Sequence, residues 1–444
     1  MIDLPAGRLA EAAGGELVAG DAGRAGPNRV VIDSRAVEAG DLFAGLPGAI
    51  VDGGAFAPAA LRAGAWGALV ARQHREAALA AAGGEPAPAV ILVDDPLPAL
   101  QRLARAWRRE LPAKVTGITG STGKTSTKDI LAALLRPRIP THASRENFNT
   151  EIGLPLAILE APPDTRALVL EMAMRGEGQI AELTAIAEPD VGMIVNVGPV
   201  HLELLGTVER VAAAKAELIR DLPAGAACVV PASEPLLDAH LRDELDTWTF
   251  GPGGHVQLLA MEGSRAEIEA RGERIELDLP FREPHNLLNT LAAVAAARAV
   301  GLPVGGPVDV RFSSLRGEIV ELPGGVVLVN DCYNANPMSM RAALANLAES
   351  PAERRIAVLG TMAELGQGSA GYHREIGERA AELGIDVLVT VGEAALGYTE
   401  GFPGEAHAVA TPEEAGALLE EVARPGDRVL VKGSRSVGLE RVLQ

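Results

Sequence analysis

Val115–Leu131 reads VTGITGSTGKTSTKDIL: an apolar run, a glycine turn, a lysine, and hydroxyl residues that open a helical pattern. Such a strand–turn–helix junction outlines a phosphate cradle. Glycine lets backbone N–H groups approach anionic oxygens, lysine offsets phosphate charge, and a following hydroxyl reaches a divalent metal. The common P-loop is Gly-x-x-x-x-Gly-Lys-Ser/Thr. Counting back from Gly123-Lys124, its first glycine falls on Ile118, and the glycines stand at 117 and 120 instead. Gly120, Gly123, Lys124 and Thr125 therefore keep the chemistry of a P-loop without its spacing. The alternative is a glycine-rich turn with a solvated lysine. Gly-Lys-Thr-Ser at a strand–helix junction is much more specific than a lone glycine pair.

Around the loop, strand-like and helix-like runs alternate. Residues 114–119, 167–172 and 191–197 are short apolar runs typical of buried parallel strands, with helical patterns over Ser126–Leu135 and Val208–Leu218. Residues 251–279 read as a small β insertion and 284–300 as a helix. Upstream, strands are expected at 29–35, 41–46, 67–71 and 89–95, with helices over Ala57–Ala63 and Leu97–Glu110; Leu111-Pro112 closes this segment. From Phe312 onward, strands at 325–331, 355–360, 386–392 and 427–433 alternate with helices over Met338–Leu347 and Tyr372–Leu383. This is a doubly wound α/β pattern.

A length of 444 residues, at about 150 per domain, suggests three domains. With aromatics at 3% and hydrophobic residues at 48%, the cores must be built from Ala, Val, Leu and Ile. The formal net charge of −19 repels nucleic-acid phosphates and no basic run offsets it, so no nucleic-acid partner is expected. An anionic small molecule stays compatible, because a few local cations and backbone N–H groups outweigh a diffuse field. Cys228 and Cys332 make neither a metal pattern nor a disulfide framework, which fits a reducing compartment. The chain starts with no basic, then apolar, leader, and no stretch approaches ~18 uninterrupted apolar residues. A cytoplasmic protein without membrane insertion is expected.

Polar exceptions cluster after strand ends: Thr119, Glu171 and Asn196, then Asp331, Gly360, Gly392 and Lys432. Open parallel sheets bind ligands at the carboxyl edges of their strands, so two such edges facing one another would make a cleft. Glu171 either pairs with a buried cation or binds metal. A lone histidine such as His201 is commonly structural. With Thr125 and Glu171 around phosphate oxygens it makes a Mg2+ environment, although imidazole is not magnesium's preferred donor. Lys215, on pattern alone, is an ordinary helix lysine. In NDCYNANPMSM (330–340), Asp331, Asn334 and Asn336 offer donors and acceptors, and the same stretch suits a capped helix start at Pro337. Arg316 is a phosphate-binding cation or a linker charge. VKGSRS (431–436) puts Lys432, Ser434, Arg435 and Ser436 on a glycine turn that suits a carboxylate, though surface loops also look like this.

On these residues the chain resembles the Mur ligases, which build the peptide stem of bacterial cell-wall precursors, over essentially its whole length. That family's ATP loop, Thr-Gly-x-x-Gly-Lys-Thr/Ser, is matched by Thr119 to Thr125 and is shorter between glycines than the general P-loop. Residues 33–65 are similar to the family's uridine-nucleotide domain, with Asp33-Ser34-Arg35 in the turn near the UDP moiety. NFNTEIGLPLAIL (147–159) matches the segment after the P-loop helix, and PHNLLNTLAA (284–293) resembles the ATP-adenine segment. NVGPVHLELLGTVERVAAAKAEL (196–218) is similar to the family's metal-histidine and lysine stretch.

The resemblance implies an α/β chain of three domains. They are a small N-terminal α/β domain for the UDP substrate (1–112), a central P-loop ATPase-type parallel sheet (113–311), and a C-terminal Rossmann-like doubly wound domain for an incoming dipeptide (312–444). It implies an ATP-dependent amide ligase. ATP phosphorylates the terminal carboxylate of UDP-MurNAc-tripeptide, and the amine of D-alanyl-D-alanine attacks the acyl phosphate. ATP contacts are implied for Gly120, Ser121, Thr122, Gly123, Lys124, Thr125, Ser126, Asn286, Arg316 and Asp331. Two Mg2+ ions would be held by Thr125, Glu171, His201 and a carbamylated Lys215, and Lys124, Glu171, His201 and Lys215 would be catalytic. Substrate contacts are implied for Ser34, Arg35, Asn149, Tyr333, Asn334, Asn336, Lys432, Ser434 and Arg435, in a monomer. DCYNANP and VKGSRS favour a dipeptide-adding member over siblings that add one amino acid, the nearest alternative. A plain ATPase or phosphotransferase and a non-catalytic nucleotide-binding protein are alternatives of other classes. The chain departs from the family at Thr361, where Asp is frequent, at Ala173 for Gly and at Cys332 for Ser. Asp52-Gly53-Gly54 replaces a frequent Asp-Gly-His, so an imidazole near the nucleotide sugar is expected to be missing.

Overall fold

The apolar runs become strands of three sheets in a computed structural model that describes residues 2–145, 147–322 and 324–443. The first sheet holds β1 (Glu16–Ala19), β2 (Val30–Val31), β3 (Leu42–Ala44), β4 (Gly67–Ala71) and β5 (Ala89–Val93) in the order β1-β5-β4-β3-β2. All pairs are parallel except β1 with β5. The strand expected over 29–35 is cut to two residues, because the Asp33 carboxylate accepts from the Arg35 amide and turns the chain into a short 3-10 helix at Ser34–Ala36.

The central sheet has ten strands: β6 (Lys114–Thr119), β7 (Thr141–Ala143), β8 (Ala167–Glu171), β9 (Val191–Ile194), β10 (Ala227–Pro231), β11 (Asp246–Phe250), β12 (Val256–Glu262), β13 (Arg265–Ala270), β14 (Glu273–Asp278) and β15 (Gly306–Pro307). Its order is β15-β14-β13-β12-β11-β10-β9-β6-β8-β7. Two sequence expectations are corrected here. The stretch 251–279 is no separate insertion, because β12 pairs with β11 and carries the β13–β14 meander on as the same sheet. The sheet is consequently mixed, parallel from β7 through β11 and antiparallel through the meander.

The phosphate-loop helix Lys124–Leu135 packs against the helix Pro284–Ala299. The second helix presents Ala292, Ala293, Ala295, Ala296 and Ala297, all buried. Small side chains allow close packing, and this helix packs against both the phosphate-loop helix and strands β9 to β13 of the central sheet.

The third sheet holds β16 (Glu318–Leu322), β17 (Val326–Asn330), β18 (Arg354–Gly360), β19 (Val387–Val391), β20 (Glu405–Val409) and β21 (Asp427–Lys432), in the order β16-β17-β21-β18-β19-β20. Only the β16–β17 hairpin is antiparallel. The carboxyl ends of β17, β18 and β21 lie side by side, so Asp331, Thr361 and Gly433 leave the sheet at one edge. Among the described residues, no helix is long and apolar enough to cross a membrane.

The helix Pro96–Glu110 bridges the first and second sheets. Asp95 caps it and Pro96 sits at its first position, where a missing N–H is harmless. It buries Leu100, Leu103 and Trp107, and the Trp107 indole donates to the Ala161 carbonyl at 3.1 Å. Trp107→Ala should cost about 3–5 kcal/mol, the range for deleting a large buried aromatic. Urea unfolding should therefore begin earlier in the variant. An unchanged transition would show that this side chain does not hold the two domains together.

Candidate active site

The phosphate loop is held from below by one side chain. Asn196, just past β9, accepts the amides of Ser121 (3.1 Å) and Thr122 (2.9 Å) on its Oδ1. Ser121 and Gly198 are reciprocally bonded, the hydroxyl donating to the Gly198 carbonyl at 3.1 Å and accepting its amide at 2.9 Å. Gly123 adopts φ 74°, and a Cβ there would lie 2.7 Å from the Asn289 side-chain oxygen. The left-handed backbone is the reason for glycine at 123, and any Cβ there would also displace the Asn289 side chain. The helix begins at Lys124, so its first amides have no intrahelical acceptor and the positive end of its dipole faces the loop. Lys124 folds back, its ammonium donating to the Gly120 carbonyl at 2.8 Å.

Beside the loop, Glu171 ends β8 in a buried position. Thr125 Oγ1 donates to one of its oxygens at 2.6 Å and Asn149 Nδ2 to the other at 2.8 Å. Asn149, expected at the substrate, thus holds this carboxylate. Lys215 is 2% exposed on the helix Val208–Asp221, with its ammonium toward the same space. Burial, then the charge of Lys124, push Lys215 well below the ordinary lysine range. Burial also lowers Lys124, with Glu171 opposing and Arg316 adding to the shift. Three cations thus crowd one site. Neutral amines or a bound polyanion relieve that crowding.

His201 sits in the left-handed region at φ 53°. Its Nδ1 meets the Glu364 carboxylate of the third sheet's β18 loop, and Arg175 meets the same carboxylate. Burial lowers the imidazole pKa against the opposing pull of Glu364.

The third sheet closes the site. Arg316 lies over the Tyr333 ring at 4.1 Å. Lys432, 2% exposed, donates to the Asp331 carboxylate at 2.6 Å and to the Asn334 carbonyl at 3.1 Å. Asp331 and Lys432, expected on ATP and on the dipeptide, are therefore paired with each other. Asn336 caps the helix Pro337–Glu349 in a reciprocal box with Ser339, as the capping alternative required.

One cavity of about 1120 Å³ runs between the two sheets. Gly120 to Ser126, Asn149, Glu171, His201 and Lys215 line its central-domain side, with Asn286 on the long helix. Arg316, Asp331, Tyr333, Asn334, Asn336 and Lys432 line the other side. Ser434 is buried behind it, accepting the Ala363 amide at 2.9 Å, and exposed Arg435 pairs with Glu440.

Ser34 and Arg35 lie outside this lining, on the first sheet's surface. The Arg35 guanidinium holds the Asp33 carboxyl down at about 2. The departure at Gly54 has a structural answer. A Cβ at 54 would fall 2.3 Å from the His74 ring, and His74 Nε2 bonds Asp52 at 2.8 Å. The absence of a side chain at 54 thus leaves room for the His74 ring against Asp52.

Asn196, Arg175 and Glu364 carry contacts that sequence reasoning did not assign. Only the position of Asn196 after a strand end pointed to one. Among the described residues no three His, Cys, Asp or Glu side chains converge as a metal cluster.

Three family models match the chain. They are described as Mur ligase family, catalytic domain (28–108), Mur ligase middle domain (118–297) and Mur ligase, glutamate ligase domain (315–435). The UDP-N-acetylmuramoyl-tripeptide--D-alanyl-D-alanine ligase of Synechocystis sp. is 36% identical over 94% of this chain and 91% of its own. The ligase of the same name from Bacillus subtilis is 35% identical over 94% and 92%. MurF from Acinetobacter baumannii superposes with a TM-score of 0.85 at 28% identity, covering 99% of this chain and 98% of its own. The MurF ligase of Thermotoga maritima, solved in complex with ADP, gives 0.80 at 32% identity over 94% and 96%.

Asn196→Ala should free the Thr122 amide at roughly 1 kcal/mol, while the Ser121 amide keeps the Asn196 backbone carbonyl at 3.1 Å. ATP affinity measured by titration calorimetry should fall about fivefold, with the far-UV circular dichroism unchanged. Wild-type affinity would show that Asn196 does not shape the loop.

Proposed function

The chain belongs to the Mur ligase family, and on that premise we propose that it joins D-alanyl-D-alanine to the terminal carboxylate of UDP-MurNAc-tripeptide, converting ATP to ADP and phosphate. The observation that carries this reading is a shared cavity in which the phosphate loop faces Arg316, Asp331 and Lys432 of another sheet. Full-length likeness to ligases of that name supports it. A carboxylate oxygen attacks the γ-phosphorus, the β–γ bridge breaks, and ADP leaves. The dipeptide amine then attacks the acyl carbon, inorganic phosphate departs, and the amine loses its proton.

The chain's own groups serve charge and position. Two anions must meet in the first step, so Lys124, Arg316 and the first amides of the helix Lys124–Leu135 offset their repulsion and hold the transferring group in line. Sheets on both sides of the cavity supply these groups, so domain closure completes the set and excludes water that would hydrolyse the acyl phosphate.

Magnesium fits the donors present. It takes one or two carboxylates and fills its shell with phosphate oxygens and water, and Glu171 with Thr125 offers such a start. When bound it would neutralise charge on the phosphoryl oxygens. A second ion would need another anionic donor, and Lys215 is the candidate. Its buried amine has no carboxylate among the groups that shift it, which favours the neutral form that combines with CO2. The resulting carbamate would turn an unpaired cation into an anion facing Lys124. A monomer working in the cytoplasm completes the proposal.

Lys124→Ala should lower turnover roughly 10²–10³-fold without changing the circular dichroism; undiminished turnover would remove Lys124 from the chemistry. Lys215→Ala should be inactive and partly restored by short carboxylates; full activity without them would refute the carbamate. ADP release should require both substrates. Release without an acceptor would indicate an ATPase or phosphotransferase, and release with a single amino acid a sibling ligase. Tripeptides ending in meso-diaminopimelate and in L-lysine, run side by side, identify the third stem residue.

A further inference from the structure

The ligase chemistry leaves Glu364 without a role, yet its surroundings are unusually constrained. Five non-glycine residues among those described have positive φ, and two of them, His201 (53°) and Glu364 (62°), meet across the boundary between the second and third sheets. Non-glycine residues in this region cost of order 1–3 kcal/mol each and persist where surrounding contacts hold them. Glu364 receives His201 Nδ1 and the Arg175 guanidinium on its carboxylate, and its carbonyl accepts the Glu203 amide at 3.1 Å. Gly366 lies close behind, where a Cβ would come within 3.2 Å of Glu203 Cα.

The loop that carries Glu364 is fixed from its own domain. The Met362 amide donates to Nε2 of the fully buried His373 at 3.0 Å, and His373 Nδ1 lies 2.7 Å from the Ser369 carbonyl. Ala363 donates to Ser434 Oγ at 2.9 Å, while the Ser434 amide donates to the Thr361 carbonyl at 3.0 Å. Ser434 belongs to the glycine turn that follows Lys432. A continuous set of hydrogen bonds therefore runs from that turn through residues 361–364 to His201, which lines the cavity with Lys124, Glu171 and Lys215.

An ionised carboxylate can only accept. The Glu364 carboxylate lies between the Arg175 guanidinium, which can only donate to it, and His201 Nδ1. His201 must then carry its proton on Nδ1, which leaves the Nε2 lone pair for the cavity. Such carboxylate–imidazole pairs fix the tautomer and the orientation of a functional histidine.

We propose that Glu364 is a positioning residue for the ligation: delivered by the third sheet, it sets His201 in the Nδ1–H tautomer with Nε2 toward the reacting groups. The glycine turn at 431–436 and the reaction centre are thereby linked through one carboxylate. This rests on the ligase reading for the reaction it serves, but not for the tautomer it sets.

The test uses full-length, 15N-labelled protein with a non-hydrolysable ATP analogue. Long-range 1H–15N spectra of the histidine rings report the tautomer, and His201→Gln identifies the signal. The wild type should show the Nδ1–H pattern. Glu364→Ala should shift His201 to Nε2–H or to a mixture, and lower kcat about 10–100-fold with KM for ATP within about twofold. Glu364→Gln, which keeps an acceptor oxygen, should restore the tautomer and most of kcat. An Nε2–H wild type, an unchanged kcat in Glu364→Ala, or no rescue by Glu364→Gln overturns the proposal. Wild-type protein without ligase turnover but with the expected tautomer change would defeat the ligase reading and leave the Glu364–His201 coupling standing.

Discussion

Like charge crowded into one buried space is the constraint around which the rest is arranged. Burial and the charge of Lys124 hold Lys215 well below the ordinary lysine range, and burial, with Arg316 adding and Glu171 opposing, lowers Lys124. A buried cation without a partner is expensive, and Glu171 is already engaged by Thr125 and Asn149. The cavity is therefore electrostatically incomplete, and a polyanion or a modification completes it. The same deficit explains how a chain of net charge −19 can attract nucleotides, because the local field outweighs the diffuse one.

Pairing inside the third sheet follows a different rule. Lys432 and Asp331 are 101 residues apart and satisfy one another, so that face of the cavity presents a neutralised pair beside Arg316, whereas the loop side presents Lys124 and Lys215.

How much of this was legible follows from the range of each interaction. The strands at 67–71 and 114–119 were read to the residue, because a short apolar run between turn signals is local information. The phosphate loop was legible for the same reason. The β12–β14 meander was recognised as β structure but misplaced, since sheet membership depends on the pairing of Phe250 with Val256 and not on composition. Lys215 looked ordinary because burial is not written in the pattern of one helix; only resemblance raised it. His74 packing over Gly54, and Glu364 reaching His201 over 163 residues of chain, are contacts between segments with no shared motif. Asn196 showed itself as a polar exception at a strand end, but its grip on two loop amides needed three dimensions.

The buried alanines of the helix Pro284–Ala299 have a consequence for what this chain can become. The helix is enclosed between the phosphate-loop helix and the central sheet, and its Asn289 oxygen lies 2.7 Å from where a Cβ at residue 123 would fall. Its distance from its neighbours is thus a dimension written in missing carbon atoms. An added methylene there would push it off the loop helix or the sheet, so drift is confined to the smallest residues. Across the cavity, Lys432 donates to the Asp331 carboxylate and the Asn334 carbonyl at once, so exchanging the two charges would set a carboxylate against a carbonyl. A mutational survey should see these surfaces as different kinds of ground, one closed to growth and the other to exchange of charge.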